Sequence, residues 1–251
     1  MKKNENGGTI FIEGVKVERA RMALIGLTPL ILNRMSEKSK GELLLPAGRK
    51  TSAEKQSSLK HDPLAEYRAS AYTIPEGDAL LGVMSSAIKG AMMTAALDLP
   101  GAKKAQIGRL VYVYGDYTPI FGVPKLFMSV TRSADMNKTP DIRTRAIVPE
   151  WVALITLSYV VPMLNATSIG NLISAAGITA GIGDWRPEKG KGTYGQFRVS
   201  NIDDPEFKRI VKIGGRKAQE MALENPGLYN EDTERLFSWY NVEVVKRGKK
   251  K

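Results

Sequence analysis

His61 is the only histidine in the sequence, and it stands in SSLKHDPLAE, a loop-like stretch that runs into a helix. A histidine titrates near neutral pH and can take and return a proton, so His61 is the candidate general base or acid for metal-independent RNA cleavage. A solvated loop histidine is the plainer reading. The carboxylates nearest to a cluster are Asp135, Asp141, Glu150 and Asp184, spread along the chain and as fit for a charged surface as for a metal. A catalytic triad or a histidine-based zinc site needs bases and ligands that are missing. Cysteine is absent altogether, which removes thiolate sites, disulfides and a cysteine nucleophile. No H-E-x-x-H, C-x-x-C or EF-hand spacing occurs. The residues therefore favour binding over catalysis, with no catalytic residue, no metal and no cofactor expected.

The densest chemistry is AGITAGIGDWRPEKGKGTYGQFRV, residues 176–199, which holds six glycines, Trp185, Tyr194 and four basic side chains. Glycines this close together mark backbone that bends sharply or lets a partner approach. A phosphate loop is ruled out by residue and by context. Lys191 follows Gly190, but Gly192 stands where the motif needs a hydroxyl. The stretch also leads into strand-like YGQFRV, whereas nucleotide-binding loops follow a strand and open a helix. Trp185, Arg186, Lys189, Lys191 and Tyr194 combine stacking surface with cations, the pairing that holds unpaired bases and their backbone. The alternative is a hairpin turn with Trp185 in the core.

Charge points the same way. Across 251 residues, 37 Lys and Arg face 26 acidic residues, a net charge of +11 with a pI near 9.7. That excess suits a polyanion, nucleic acid before an anionic membrane surface. A hydrophobic share of 43% supports a full core. The N-terminus lacks a secretory h-region and no apolar run is long enough to span a bilayer, so a cytoplasmic protein with no membrane partner is expected.

The elements that must position these residues follow from periodicity. VKVERARMALI, 15–25, alternates as a strand, with Val15, Val17, Met22 and Leu24 as inward positions. Residues 36–60 carry six basic and three acidic side chains without a period, and are expected to be a mobile insertion. Lys38, Lys40, Arg49 and Lys50 would let it fold over nucleic acid, with Arg34 at its mouth. LAEYRASAYTI, 64–74, reads as a short helix and a strand. MSSAIKGAMMTAAL is a helix with Met84, Ala87, Ile88, Ala91, Met92 and Ala95 on one face and Ser85 or Ser86 as N-cap. RLVYVYG (109–115) and KLFMSVTR (125–132) read as strands around a Pro/Gly turn region. SADMNKTPDIRTRAIVPEW reads as a loop carrying Arg132 at its edge, Lys138, Arg143 and Arg145, the last two on one side of an extended segment. VALITLSYVV is an apolar strand. ATSIGNLISAAG is a helix capped by Thr167, burying Ile169, Leu172, Ile173 and Ala176. Lys89 lies near the start of its helix, where the dipole favours phosphate. A helical appendage follows residue 201, and the last six residues, KRGKKK, read as a disordered basic tail.

This order suits an α+β fold, a ferredoxin-like or RRM-like βαββαβ antiparallel sheet with helices on one face. It divides as a core over 1–200, with the 36–60 insertion, and a C-terminal appendage over 201–251.

MSSAIKGAM resembles the segment, roughly G-S-S-[IL]-K-G-A-[LM], that opens the first core helix of RAMP-superfamily proteins, with Ala87 as one inserted residue. GIGDWRPEKGKGTYGQFRV is similar to the glycine-rich loop near the end of the same domain. The superfamily includes the repeated backbone subunits of CRISPR effector complexes, so the resemblance implies a guide-RNA-holding fold. The histidine-based site of RAMP processing nucleases is missing here. Asp135 and Asp141 are the positions arguable for the aspartate of target-cleaving subunits. TPLILNRMSEK, LLGVMSSAIKGAMMTAA and GIGDWRPEKGKGTYGQFRV also resemble a family of phage and prophage proteins across about residues 22 to 200.

The resulting expectation is a non-catalytic protein that binds single-stranded nucleic acid, RNA ahead of DNA, as a homo-oligomer or filament along the strand in the cytoplasm of a bacterial host. The alternatives are a phage ssDNA-binding or recombination factor, a metal-independent RNA-processing endonuclease using His61, and a structural phage protein.

Overall fold

Two apolar runs set the layout of the molecule, Ala23–Leu24–Ile25 near the start and residues 152–161 in the middle. The computed structural model describes residues 14–35, 61–132 and 140–248, together with Lys40 and Leu44. The rest of the 36–60 insertion and residues 133–139 lie outside the described residues. So do Lys38, Arg49, Lys50, Asp135 and Lys138.

Strand β1 (Lys16–Gly26) lies antiparallel between β9 (Val152–Val161) and β10 (Phe197–Ser200). Beyond β9 come β6 (Tyr117–Phe121), β4 (Leu81–Met84) and β3 (Tyr72–Thr73), while β5 (Val111–Val113) pairs with the far end of β9. Helix α1 (Pro63–Ala69) precedes β3, and α2 (Ser85–Ala95) and α3 (Lys104–Leu110) join β4 to β5. Helix α4 (Ala166–Ala175) joins β9 to β10. The path β1–α2–β5/β6–β9–α4–β10, in spatial order β10-β1-β9-β5/β6, is the expected ferredoxin-like βαββαβ arrangement. A second sheet is inserted around it, with β8 (Pro140–Val148) between β2 (Leu30–Ile31) and β7 (Lys125–Arg132).

The core helices α2 and α4 cover one face of the main sheet, as expected, and the C-terminal segment covers part of the other. Leu24, Ala153 and Ile155 face the core with Ile88 and Met92 of α2 and Ile169 and Ile173 of α4. Ala23, Ile25 and Val152 face the other way, onto Phe207 and Ile210 of α5 (Pro205–Ile213). Strands apolar on both faces need both covered, and β1 and β9 are such strands where they pair at 23–25 and 152–154. The start of β1 and the residue before it are exposed: Val15 and Val17 are each 62% exposed and are not inward positions.

Other expectations are corrected locally. Residues 140–148 form β8, not a loop: Thr144, Ala146 and Val148 alternate inward while Arg143, Arg145 and Ile147 share the other face. Tyr117–Phe121 is a strand where a turn region was expected, and Arg109–Leu110 close α3 rather than open a strand. Ser85 does not cap α2. Its side chain is buried against the Thr118 hydroxyl at 2.8 Å, and the cap position, Met84, offers no side-chain bond. Asn165, not Thr167, caps α4 by accepting from the Ser168 amide at 2.8 Å.

The segment after residue 201 is stitched to the sheets. Gln219 of α6 (Arg216–Glu224) is fully buried, accepts from the amides of Leu80 and Leu81, and donates to the carbonyls of Ile120, Gly122 and Gly214. Helix α7 (Glu231–Gly248) lies against β7, where the Thr233 hydroxyl accepts from the Met128 amide at 3.2 Å. It continues through Gly248, so Lys246–Gly248 are helical rather than a loose tail. No helix among the described residues is long and apolar enough to cross a membrane.

Candidate nucleic-acid interface

The glycine-rich stretch forms a loop closed at its neck. After α4 the chain makes one wide turn over Ala176–Ala180 and reverses at Gly181. The Ile182 amide donates to the Gly195 carbonyl at 3.0 Å, and the Tyr194 amide donates to the Trp185 carbonyl at 3.1 Å. Both arms lean on β2 and the residue before it: the Gly195 amide donates to the Pro29 carbonyl at 2.8 Å, and the Asp184 amide to the Ile31 carbonyl at 3.0 Å. Gly195 sits at φ +70°, and a Cβ there would run into the Ile182 carbonyl oxygen, so only glycine closes this neck.

A charge pair fixes the loop from beneath. Arg145 reaches from β8 to the Asp184 carboxylate, with the two side chains only 11% and 19% exposed. Burial pulls the Arg145 guanidinium below its ordinary value, and the Asp184 charge opposes that shift. Tyr194 packs beside Ile31, Phe127 and Ile147, its ring 6.5 Å from Phe127 and 6.4 Å from Trp185. Arg145 and Tyr194 thus brace the loop from within.

Above these braces Trp185 projects, 42% exposed at φ +51°. A non-glycine residue in that region costs about 1 kcal/mol, and such strain concentrates where a side chain must be presented. The Arg186 guanidinium donates to the Glu188 carboxylate at 2.7 Å and to the Gly183 carbonyl at 2.9 Å. Burial would raise Glu188, but the bonds from Arg186 and from the Thr94 hydroxyl outweigh it and hold the carboxyl below its ordinary value. Thr94 belongs to α2, so this contact pins the loop across to that helix. Lys189 and Lys191 are exposed at the tip.

Between loop and helix lies a cleft of about 530 Å³. Its walls are Met84, Ser86, Gly90 and Thr94 of α2 and its start, Ile182–Asp184, Arg186 and Lys189 of the loop, and Leu32, Asn33, Tyr72 and Lys104. The volume suits one or two nucleotide-sized groups.

Not all the expected residues meet here. Lys89 is half-buried and lines the neighbouring cleft on the other side of the start of α2. Arg143 is exposed on the β8 face that carries Arg145, whereas Arg132 emerges on the opposite face of the hairpin. Arg34 and Lys40 are half-buried, the Arg34 amide donating to Ser70 at 2.8 Å. Sequence reading missed Tyr72 and Lys104, which join the cleft through the tertiary fold and stand in no motif. The candidate acid–base group sits elsewhere. His61 has its ring nitrogens 2.8 Å from Glu66 and 3.1 Å from Asp141, beside an apolar cleft of about 360 Å³ lined by Val130, Leu236 and Trp239. Glu150 pairs with Arg209 at 2.7 Å and Asp184 with Arg145, so these carboxylates do not converge.

No protein-family model and no curated protein sequence matches the chain, and the likeness to phage proteins rests on its sequence motifs alone. Among solved structures, the chain is similar to Cmr6 from Pyrococcus furiosus, at 11% identity and TM-score 0.37, over 73% of this chain and 98% of that one. It is also similar to a chain of the Type III-B Cmr-beta complex bound to cognate target RNA, at 14% identity and TM-score 0.33, over 72% of this chain and 59% of that one. Both are RAMP-superfamily CRISPR effector proteins, the group that the sequence motifs resemble. Similarities this loose have no bearing on binding or chemistry.

Proposed function

We propose that this protein is a non-catalytic binder of single-stranded nucleic acid, RNA ahead of DNA, whose copies assemble along the strand in the cytoplasm. The observation that carries the reading is the presentation of Trp185, held at φ +51° beside the Arg145–Asp184 pair and next in sequence to Arg186, which with Lys189 edges the cleft. A rigid aromatic beside cations stacks on bases of any sequence while the cations follow the backbone, and every base offers a face to stack on. The net charge of +11 supplies the long-range attraction. A groove that tracks the backbone gains by continuing into the next copy, which favours assembly along the strand. The engagement of His61 by two carboxylates supports binding without cleavage.

The test is binding of fluorescent single-stranded RNA, single-stranded DNA and duplex DNA over a salt series. Single-strand affinity falls with salt, and the slope decreases by about 0.7 for each of Lys189→Ala and Lys191→Ala that had met a phosphate. Equal affinity for duplex and single strand, or slopes unchanged in both variants, would remove the loop from the contact. A preference for DNA over RNA would move the reading to a strand-protection role.

A further inference from the structure

Across the first turn of α2 from the glycine loop lies a second cleft, of about 430 Å³, lined by Lys89, Tyr112, Asp116 and Tyr117 and sharing Met84 and Ser86 with the first. Tyr112 is 54% exposed and Tyr117 is 42% exposed, so both rings offer apolar area to the cleft and to solvent. Neither ring is loose. Tyr112 meets the Tyr114 ring edge-on at 5.0 Å, and Tyr114 lies under the Arg19 guanidinium at 5.0 Å. Tyr117 packs on Tyr72 at 5.4 Å, and Tyr72 in turn lines the first cleft. Two exposed rings, each backed by a second ring, flank one cavity with a lysine on its wall.

We propose that this cleft is a second base-stacking station, which takes an unpaired nucleobase of the strand whose neighbouring nucleotides lie against Trp185. This rests on the single-strand reading above. The chemistry of the walls selects a base over a phosphate: Asp116 repels a phosphate but accepts from an exocyclic amino group, and the tyrosine faces offer stacking area. Lys89 remains for the backbone phosphate beside that base. Met84, 42% exposed, is the apolar side chain that lines both clefts.

The experiment measures the affinity of single-stranded RNA for Tyr112→Ala, Tyr117→Ala and the matching Phe variants, with Trp185→Ala in parallel. Each Ala variant weakens binding roughly tenfold with the salt slope unchanged, and each Phe variant binds as the parent does. Photocrosslinking of 5-iodouridine-substituted RNA to the unmodified protein, followed by peptide mapping, gives crosslinks at Tyr112 or Tyr117, which needs no variant to fold. Parent-like affinity of the Ala variants, or crosslinks confined to the Trp185 loop, overturns the second station and leaves the single-strand reading intact. Absence of single-strand binding by the parent protein overturns both.

Discussion

Gly195→Ala is expected to abolish strand binding and to lower the melting temperature by about 10 °C. The position combines φ +70°, where an L side chain is strained, with a Cβ that would overlap the Ile182 carbonyl oxygen. The backbone on both sides is fixed, since Gly195 donates to Pro29 and accepts from Ile182. Relief therefore means opening the neck of the loop or displacing the entry to β2. Strain plus lost backbone bonds come to roughly 3–5 kcal/mol, and a chain this long loses about 2–4 °C per kcal/mol. Gly190→Ala is the matched control. Gly190 also has positive φ, +86°, but nothing lies within 4 Å of its added Cβ. It should cost about 1–3 kcal/mol, from backbone strain alone, and keep near-parental affinity. Thermal melts and strand titrations of the pair separate a loop that must be closed from one that is merely rich in glycine. Equal behaviour of the two variants would show that the neck is not needed.

The second large effect concerns the Arg145–Asp184 pair. Arg145→Met leaves a mostly buried carboxylate without its cation, and Asp184→Leu leaves the reverse. Each single change should cost about 3 kcal/mol in urea unfolding. The double change Arg145→Met/Asp184→Leu should recover a large part of that cost, because no unpaired charge is left, and the cycle should show a coupling of about 2 kcal/mol. Strand affinity should track stability through the three variants, since both residues act on the loop from below. The rival assignment, Arg145 as a phosphate contact, makes a different forecast: a lower salt slope in Arg145→Met with unchanged unfolding, and no coupling to Asp184. Arg145 is only 11% exposed, which favours the first outcome.

Residues with a strong local pattern were legible without the fold. The stripe Ile88, Ala91, Met92 and Ala95 identified α2, the apolar run 152–161 identified β9, and the density of glycine around Trp185 marked the loop. Where identity depends on a partner strand, sequence was less informative. Strand β8 hides its period-2 pattern behind Pro140, Asp141, Arg143 and Arg145, and becomes a strand by pairing with β7 from Lys125↔Ile147 to Arg132↔Pro140. Ser85 looks like a helix cap until the Thr118 hydroxyl on β6 turns it inward. Arg145 and Trp185 are 40 positions apart, so their division into brace and presented ring belongs to the tertiary structure. Tyr72, Tyr112 and Tyr117 gather from three strands, and no spacing in the chain announces them. The C-terminal helices were visible as helices, but the four bonds by which Gln219 ties them to β4, β6 and the residues beside those strands depend on side-chain burial alone.

The central claim is that Trp185 is presented to an unpaired strand. Its most direct measurement is the affinity of parent and Trp185→Ala for single-stranded RNA of about thirty nucleotides, long enough to span several binding sites, across graded salt. The account predicts tight binding by the parent that weakens steeply with salt, and a loss of about 1–3 kcal/mol in Trp185→Ala at every salt concentration, because a stacked base carries no counterion. Trp185→Ala that binds like the parent, or a parent that binds no strand at low salt, would contradict it.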